Sequence, residues 1–385
     1  MWPLSSSGWP GADMDIGLIY ELQTPRPWNE RSEHDSYHQA IEQSVLADKL
    51  GFHSVWAVEH HFLVEYSHCS APEIFLTAVA AKTERIRVGH GVALMPIPFN
   101  HPARVAERAA ALDIVSNGRL EVGTGRSITE AELGGFDIDP LDSRPMWEEA
   151  VRLLPKMWTQ EVFEGFEGKY VTMPPRPVIP KPIQKPHPPM WMACTQPDSF
   201  RVAGEGGLGA LAFGFGPLSN VEDWHKIYRE ASARCTDPIG EFQNERFAPA
   251  AITYCGESDD EAVETGSEPA AFFAASLSQL FAPWIGKEVK GYEYYTDLKR
   301  VQEISGALAN LPTPAEMQRE GYTLIGSPET ITRTMRNYFE MGADLVLGVV
   351  QAGHLPHDKI MASLERIGTQ VIPEVKSWSK QEVTA

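Results

Sequence analysis

The sequence predicts a (β/α)8 barrel, a TIM barrel carrying insertions. Three observations predict it. Eight short apolar runs alternate in order with eight amphipathic stretches. The runs are apolar on both faces, as expected where helices cover the outside of a sheet and packed side chains fill its inside. The turn after the first run, Tyr20-Glu-Leu-Gln-Thr-Pro25, holds no glycine, so the glycine fingerprint of an open dinucleotide-binding sheet is missing.

The elements follow in order. Residues 16–20 read as the first strand, and 38–50 have helical spacing ending at Gly51. A second strand covers 55–58, a helix 72–83, and a third strand 86–93. The helix 102–116 closes at Asn117-Gly118, the fourth strand is 120–123, and a helix spans 144–158. The proline-rich stretch from Met173 to Pro189 reads as a rigid extended loop. Strand five is 190–193 with helix 198–204, strand six 210–213 with helix 220–233, and strand seven 248–254. Residues 259–325 read as an irregular, partly helical insertion rich in aromatics. Helix 328–341 ends at Gly342, strand eight is 345–350, and 357–371 form the last helix. The expected organisation is an extension over 1–13, disordered, a barrel over 14–374 and a tail over 375–385.

Composition bounds the partners. Of 385 residues, 43% are hydrophobic and 10% aromatic, as in a globular chain. The net charge of −19 argues against nucleic acid or an anionic membrane, because phosphate surfaces are bound by accumulated positive charge. No stretch approaches the roughly 18 apolar residues of a membrane span. Cys69, Cys194, Cys235 and Cys255 form no CxxC pair, which fits a reducing, cytoplasmic setting and gives no metal signature.

In a barrel, polar residues at strand C-termini are the candidates for chemistry. Glu59-His60-His61 follows strand two. Adjacent residues point to opposite faces, so both imidazoles cannot line the mouth, which weakens a two-histidine metal reading. One imidazole there suits a general base; a hydrogen-bonded structural histidine is the plainer alternative. Gly123-Thr-Gly-Arg126-Ser127 ends strand four, where glycines admit a ligand and Arg126 offers a fork of donors, or is merely exposed at a glycine turn. Thr195-Gln196-Pro-Asp198-Ser199 opens a helix after strand five. Thr195 with Asp198 reads as a capping box, and the same helix start can receive a phosphate. Gly353-His354-Leu-Pro-His357 follows strand eight, with a structural role for either histidine at least as fitting as a catalytic one.

Together these segments resemble the bacterial-luciferase-like flavin monooxygenases. The matching pieces are Trp56-Ala-Val-Glu-His-His-Phe62, Val88-Gly-His-Gly-Val-Ala-Leu-Met-Pro96, His101-Pro-Ala-Arg-Val-Ala-Glu107 and Leu112-Asp-Ile-Val-Ser-Asn-Gly-Arg-Leu-Glu-Val-Gly123. They continue in Pro180-Lys-Pro-Ile-Gln-Lys-Pro-His-Pro-Pro189, Ile325-Gly-Ser-Pro-Glu329 and Gly353-His-Leu-Pro-His357, so the resemblance runs over about residues 14 to 374. It implies reduced FMN, O2, a C4a-hydroperoxyflavin, a small organic substrate, a separate flavin reductase and a homodimer. It implies His60 as catalytic base and the FMN phosphate among Arg126, Thr195, Gln196, Asp198 and Ser199. It also implies a non-prolyl cis peptide at Gly91–Val92 beneath the flavin ring. Two departures stand out. Luciferase carries a reactive cysteine where this chain has Gly125, which implies no thiol chemistry and a more open pocket, and the loop Pro96-Ile-Pro-Phe-Asn-His101 looks longer. Three rival readings remain: a deazaflavin-dependent hydride-transfer enzyme of the same superfamily, a flavin-binding barrel without turnover, and a metal-dependent hydrolase.

Overall fold

The computed structural model describes residues 14–213, 218–285, 287, 289–293 and 323–378. The expected extension 1–13, residues 379–385 of the expected tail, and residues 294–322 of the insertion, with Tyr294 and Tyr295, lie outside the described residues.

Eight parallel strands close into a barrel: β1 Asp15–Tyr20, β2 Ser54–Ala57, β3 Arg87–Leu94, β4 Leu120–Gly125, β5 Met190–Cys194, β6 Gly209–Ala212, β7 Phe247–Cys255 and β8 Leu345–Val349. Each pairs with the next, β7 pairs with both β6 and β8, and β8 returns to β1. The strand Thr323–Gly326 pairs in parallel with residues 252–255 of β7 and stands outside this circle. The strands are buried on both faces, as their unbroken apolar runs predict.

The order of side chains along the strands fixes which face looks inward. Trp56 of β2 and Trp191 of β5 meet edge-on with ring centroids 5.4 Å apart. Two strands lie between them in the circle, so the indoles can meet only inside the barrel. The Trp191 Nε1 donates to Glu121 at 2.7 Å, which itself pairs with Arg87, so this inner layer is fully bonded.

Between β3 and β4 the register shifts: His90 faces Val122 but Ala93 faces Thr124, so β3 carries one extra residue. That bulge sits where the resemblance implies a cis peptide. The Gly91–Val92 bond is trans, and the cis bonds of the described residues all precede proline. The extra residue bends the strand without a cis bond, and it drives the His90 carbonyl oxygen to 2.1 Å from where a Cβ on Gly123 would stand. Gly123→Ala is therefore expected to destabilise the fold by about 3 kcal/mol, the upper end of the overpacking range, since the clash is with backbone that cannot swing aside. A lower denaturant midpoint with an unchanged slope would register it.

Among the described residues the helical part of the insertion comes at its start. Residues Asp259–Phe281 form one 23-residue helix. Ser258 caps it by accepting the Glu261 amide, and Asp259, Asp260 and Glu261 load its first turn with charge that favours the helix dipole. Pro269 lies within it. At the other end, Val375 and Trp378 are buried, with Trp378 against Phe339, so packing continues into the expected tail. No helix of the described residues is long and apolar enough to cross a membrane.

Candidate active site

The C-terminal ends of β1, β2 and β4 deliver a buried ionic cluster. Inward parity along β1 runs through Gly17 and Ile19 to Glu21, just past the strand end. From the segment after β2 comes His60. From the loop after β4, the short helix α4, Glu130–Gly135, brings Glu132. His60 Nδ1 lies 2.9 Å from Glu132 Oε1, and its Nε2 lies 3.7 Å from Glu21 Oε2. Glu132 is fully buried and accepts four hydrogen bonds. Oε1 takes His60 and the His61 amide, while Oε2 takes the Ser127 and Thr129 hydroxyls. A carboxylate so fully served stays ionised: burial would raise its pKa, but His60 and these donors hold it below the usual range.

His60 reads the sum of these fields. Burial pulls its pKa down, yet the Glu132 and Glu21 carboxylates outweigh it and raise the imidazole to about 9. Glu21 goes the other way for a carboxyl: burial lifts it to about 7 against the opposing pull of His60 and the Tyr66 hydroxyl. The neighbouring carboxylates thus favour the protonated form of the ring that the sequence nominates as a base. His61 points elsewhere, as strand alternation requires. It stacks on Phe99, meets Phe136 edge-on, and puts Nε2 3.3 Å from Glu59. Glu59 in turn accepts the Leu94 amide and the Asn100 side chain, pinning the loop after β3 to the end of β2.

Three non-glycine residues beside this cluster take positive φ: Leu22 at 50°, Phe62 at 65° and Ser127 at 68°. Each follows a site residue by one or two positions, so the backbone strain sits where side-chain direction matters.

Arg126 opens the second half of the site. Its guanidinium donates to Ser143 Oγ at 2.8 Å and to the Gly291 carbonyl at 2.7 Å, and it stacks 4.3 Å over Tyr292. Tyr292 stacks in turn on Trp284, whose Nε1 bonds the Ile128 carbonyl. The insertion thereby closes over Arg126. Phe281 packs on this cluster, whereas Phe273 packs on Tyr66 and Phe272 on His354.

The helix α7, Pro197–Glu205, begins after β5. Its N-cap is Gln196, not Thr195, because Pro197 takes the first helical position, where its missing N–H does no harm. Ser199, rather than Asp198, completes the cap: its Oγ accepts the Thr195 and Gln196 amides and donates to the Gln196 carbonyl. Asp198 instead turns outward to Arg144 at 2.9 Å and Arg201 at 2.7 Å. Burial would raise its pKa, but Arg201, Arg144 and Arg126 hold it low.

Arg144 is the residue that sequence reasoning missed here. It comes from the helix α5, Pro140–Val151, and its buried Nη1 has no hydrogen-bond partner. Burial and then the Arg126 charge lower its pKa; Arg126 bonds Ser143, the residue just before Arg144, and Arg144 itself reaches Asp198 in the first turn of α7. Cationic side chains, one unmet donor and a helix N-terminus thus gather around the Asp198 carboxylate. The Tyr292 hydroxyl lies 2.9 Å from Ser143 Oγ and donates to the Ser127 carbonyl, and the Ser127 hydroxyl donates to Glu132, which links the Arg126 side of the site to the His60 cluster.

The remaining expectations resolve as follows. Val92 fills the space beside Gly125, its Cγ2 standing 2.5 Å from where a Cβ would be, so the missing cysteine leaves no opening. Gly91 faces Ile19 and Trp56 inside the barrel. His354 bonds the Arg26 carbonyl, and His357 bonds Gln43 and Glu42, so both histidines tie loops together. No group of three or more His, Cys, Asp or Glu residues among those described could hold a metal ion.

Comparison with known proteins fits this geometry. The profile of the family described as luciferase-like monooxygenase matches residues 18–345. The oxygenase component of a flavin-dependent trigonelline monooxygenase from Acinetobacter baylyi is 24% identical over 373 residues, covering 94% of this chain and 95% of that protein. An F420-dependent glucose-6-phosphate dehydrogenase from Beutenbergia cavernae is 26% identical over 361 residues, 89% of this chain and 94% of that one. The crystal structure of monooxygenase RslO1 from Streptomyces bottropensis superposes with a TM-score of 0.76 at 25% identity, covering 94% of this chain and 99% of that one.

Proposed function

This chain belongs to the luciferase-like monooxygenase family, and from that premise we propose that it is the oxygenase half of a two-component system. It takes reduced FMN from a separate flavin reductase and inserts one atom of O2 into a small organic substrate. The observation that carries this reading is the hydrogen-bonded chain from Arg126 through Ser143, Tyr292 and Ser127 to the buried His60–Glu132 pair, with Arg144 beside it at the start of α7. These residues fit a flavin phosphate: the tail would meet two guanidinium groups and the unmet Arg144 donor.

Bound reduced FMN would supply the electrons that activate O2. This chain's own residues do the rest. Arg126 and Arg144 bind and orient the phosphate end. The barrel wall and the Trp284–Tyr292 segment exclude water, which keeps a reactive oxygen species from being lost to solvent. The His60 ring, fixed by Glu132 and favoured in its protonated form, offers a positive charge and turns Nε2 toward Glu21.

A titration of FMN and deazaflavin into the protein tests the cofactor, with FMN expected to bind the tighter. The reaction is tested by combining the protein with FMN, NADH, a flavin reductase and a panel of aldehydes, ketones and N-heterocycles in air. An oxygenated product is expected; its absence across the panel counts against this reading. A second reading, deazaflavin-dependent hydride transfer, is favoured by the Beutenbergia relative and predicts the opposite order of affinity.

A further inference from the structure

Glu132 and Glu21 flank one imidazole, yet they are not equivalent. Glu132 has both oxygens saturated by four donors. Glu21 has Oε1 on the Tyr66 hydroxyl at 3.1 Å, while Oε2 makes no hydrogen bond among the described residues and lies 3.7 Å from His60 Nε2. Its side chain is buried, and it projects inward from the end of β1, across His60 from Glu132. A carboxyl with one anchored and one vacant oxygen, beside a locked imidazolium, is the group with room to gain and lose a proton.

We propose that Glu21, rather than His60, is the exchangeable proton carrier of this mouth. The inference rests on reading the mouth as the reaction centre. When a substrate hydroxyl or a water is deprotonated, its O–H bond breaks, a new O–H bond forms at Glu21 Oε2, and the electron pair stays on the reacting oxygen. In the resetting step the proton returns to the product oxygen or to water, leaving Glu21 a carboxylate again. His60 stays charged throughout, because Glu132 holds its Nδ1 proton. The titratable groups facing Glu21 are His60, Tyr66, Glu132 and the buried Cys69, whose thiol is pushed up first by burial and then by Glu21 itself. Of these only His60 favours the carboxylate by charge, and Tyr66 by its hydrogen bond. The proton on Glu21 is thus released when the pH passes about 7, and regained below it.

Infrared difference spectra of the cofactor-free protein between pH 5 and 9 test this without any substrate. A carboxylic-acid band is expected to vanish with a midpoint near 7 and to be absent in Glu21→Gln, while 15N spectra keep the His60 ring protonated through that midpoint and show it titrating only toward pH 9. Tyr66→Phe, which leaves the carboxyl in place, is expected to move the midpoint upward, because it removes a donor to the carboxylate. An unchanged band in Glu21→Gln, or loss of the His60 proton near 7, overturns the proposal. With a turned-over substrate, Glu21→Gln is expected to lower kcat by about 100-fold with KM little changed and to erase the pH limb near 7, and Glu21→Asp to restore part of it. The spectroscopic result stands whether or not oxygenation is found, so the two proposals fail separately.

Discussion

Glu132→Gln is expected to drop the His60 pKa from about 9 to near or below the 6.5 of a free imidazole, and to cut turnover by about 100- to 10,000-fold. The amide keeps the shape of the carboxylate but removes the charge that outweighs burial. It also places an NH2 against donors: His60 Nδ1, the His61 amide and the Ser127 and Thr129 hydroxyls compete for one oxygen. A buried donor left unmet costs about 1–3 kcal/mol, so stability falls as well. The pH dependence separates the two effects. In the native protein His60 is raised, so its contribution to stability is complete below about 6.5 and fades as pH rises through about 9. Glu132 is lowered, so its contribution is present above about 4.5 and fades as pH falls through its own folded value. The ionic pair therefore stabilises a window from about 4.5 to 9, and Glu132→Gln should flatten it. Thermal midpoints across that range, with 15N titration of the histidine rings, measure both. A His60 ring still titrating near 9 in Glu132→Gln would contradict this account of the site.

Arg126→Ala is expected to weaken FMN binding by about 10- to 100-fold, and the Arg126→Ala/Arg144→Ala pair by more than either alone. Hydrogen bonds to charged groups contribute about 1.5–3 kcal/mol, and each 1.4 kcal/mol is tenfold. Removing Arg126 also strips the Gly291 carbonyl and the Tyr292 ring of their cation. Arg126→Lys should recover only part of the affinity. A lysine keeps the charge, but it loses the fork that spans Ser143 and Gly291 and the flat stack on Tyr292. Riboflavin, which lacks the phosphate, is the control: its affinity should be nearly the same in native protein and in Arg126→Ala. Equal losses for both ligands would place the phosphate elsewhere.

The barrel was legible because its signals are local. Apolar runs and helical spacing give eight strand–helix units, and strand ends then nominate His60, Arg126 and the start of α7. What escaped the sequence was chemistry made by juxtaposition. Glu21 sits one residue past an apolar strand, and only the inward parity of Gly17 and Ile19 hints that it faces the mouth. Glu132 is the acid of a Thr129-Glu-Ala-Glu132 capping pattern, and the side chain of Thr129 does take the Glu132 amide. Such an acid ordinarily lies at the surface, and nothing local tells that His60 stands above it, 72 residues away. Arg144 looks like any polar residue on an amphipathic helix. Pro269 breaks the helical pattern on paper, although the helix runs through it. Likewise Thr195 out-competes Gln196 as a cap by residue type alone, until Pro197 fixes where the first turn must start.

The clasp of Gly291 and Tyr292 on Arg126 carries a kinetic consequence. A free arginine side chain samples many rotamers, an entropy of about 2 kcal/mol that a ligand must freeze out. Here the chain freezes it during folding, through Ser143, Gly291 and Tyr292. Preorganised charge of this kind shows mainly in a slower departure of the cofactor, because the grip exists before arrival and relaxes little afterwards. On the proposed reading, the residence time of the flavin would be written partly into an insertion far along the chain from the strand that bears the arginine, and trimming that insertion should shorten the visit without altering how often one begins.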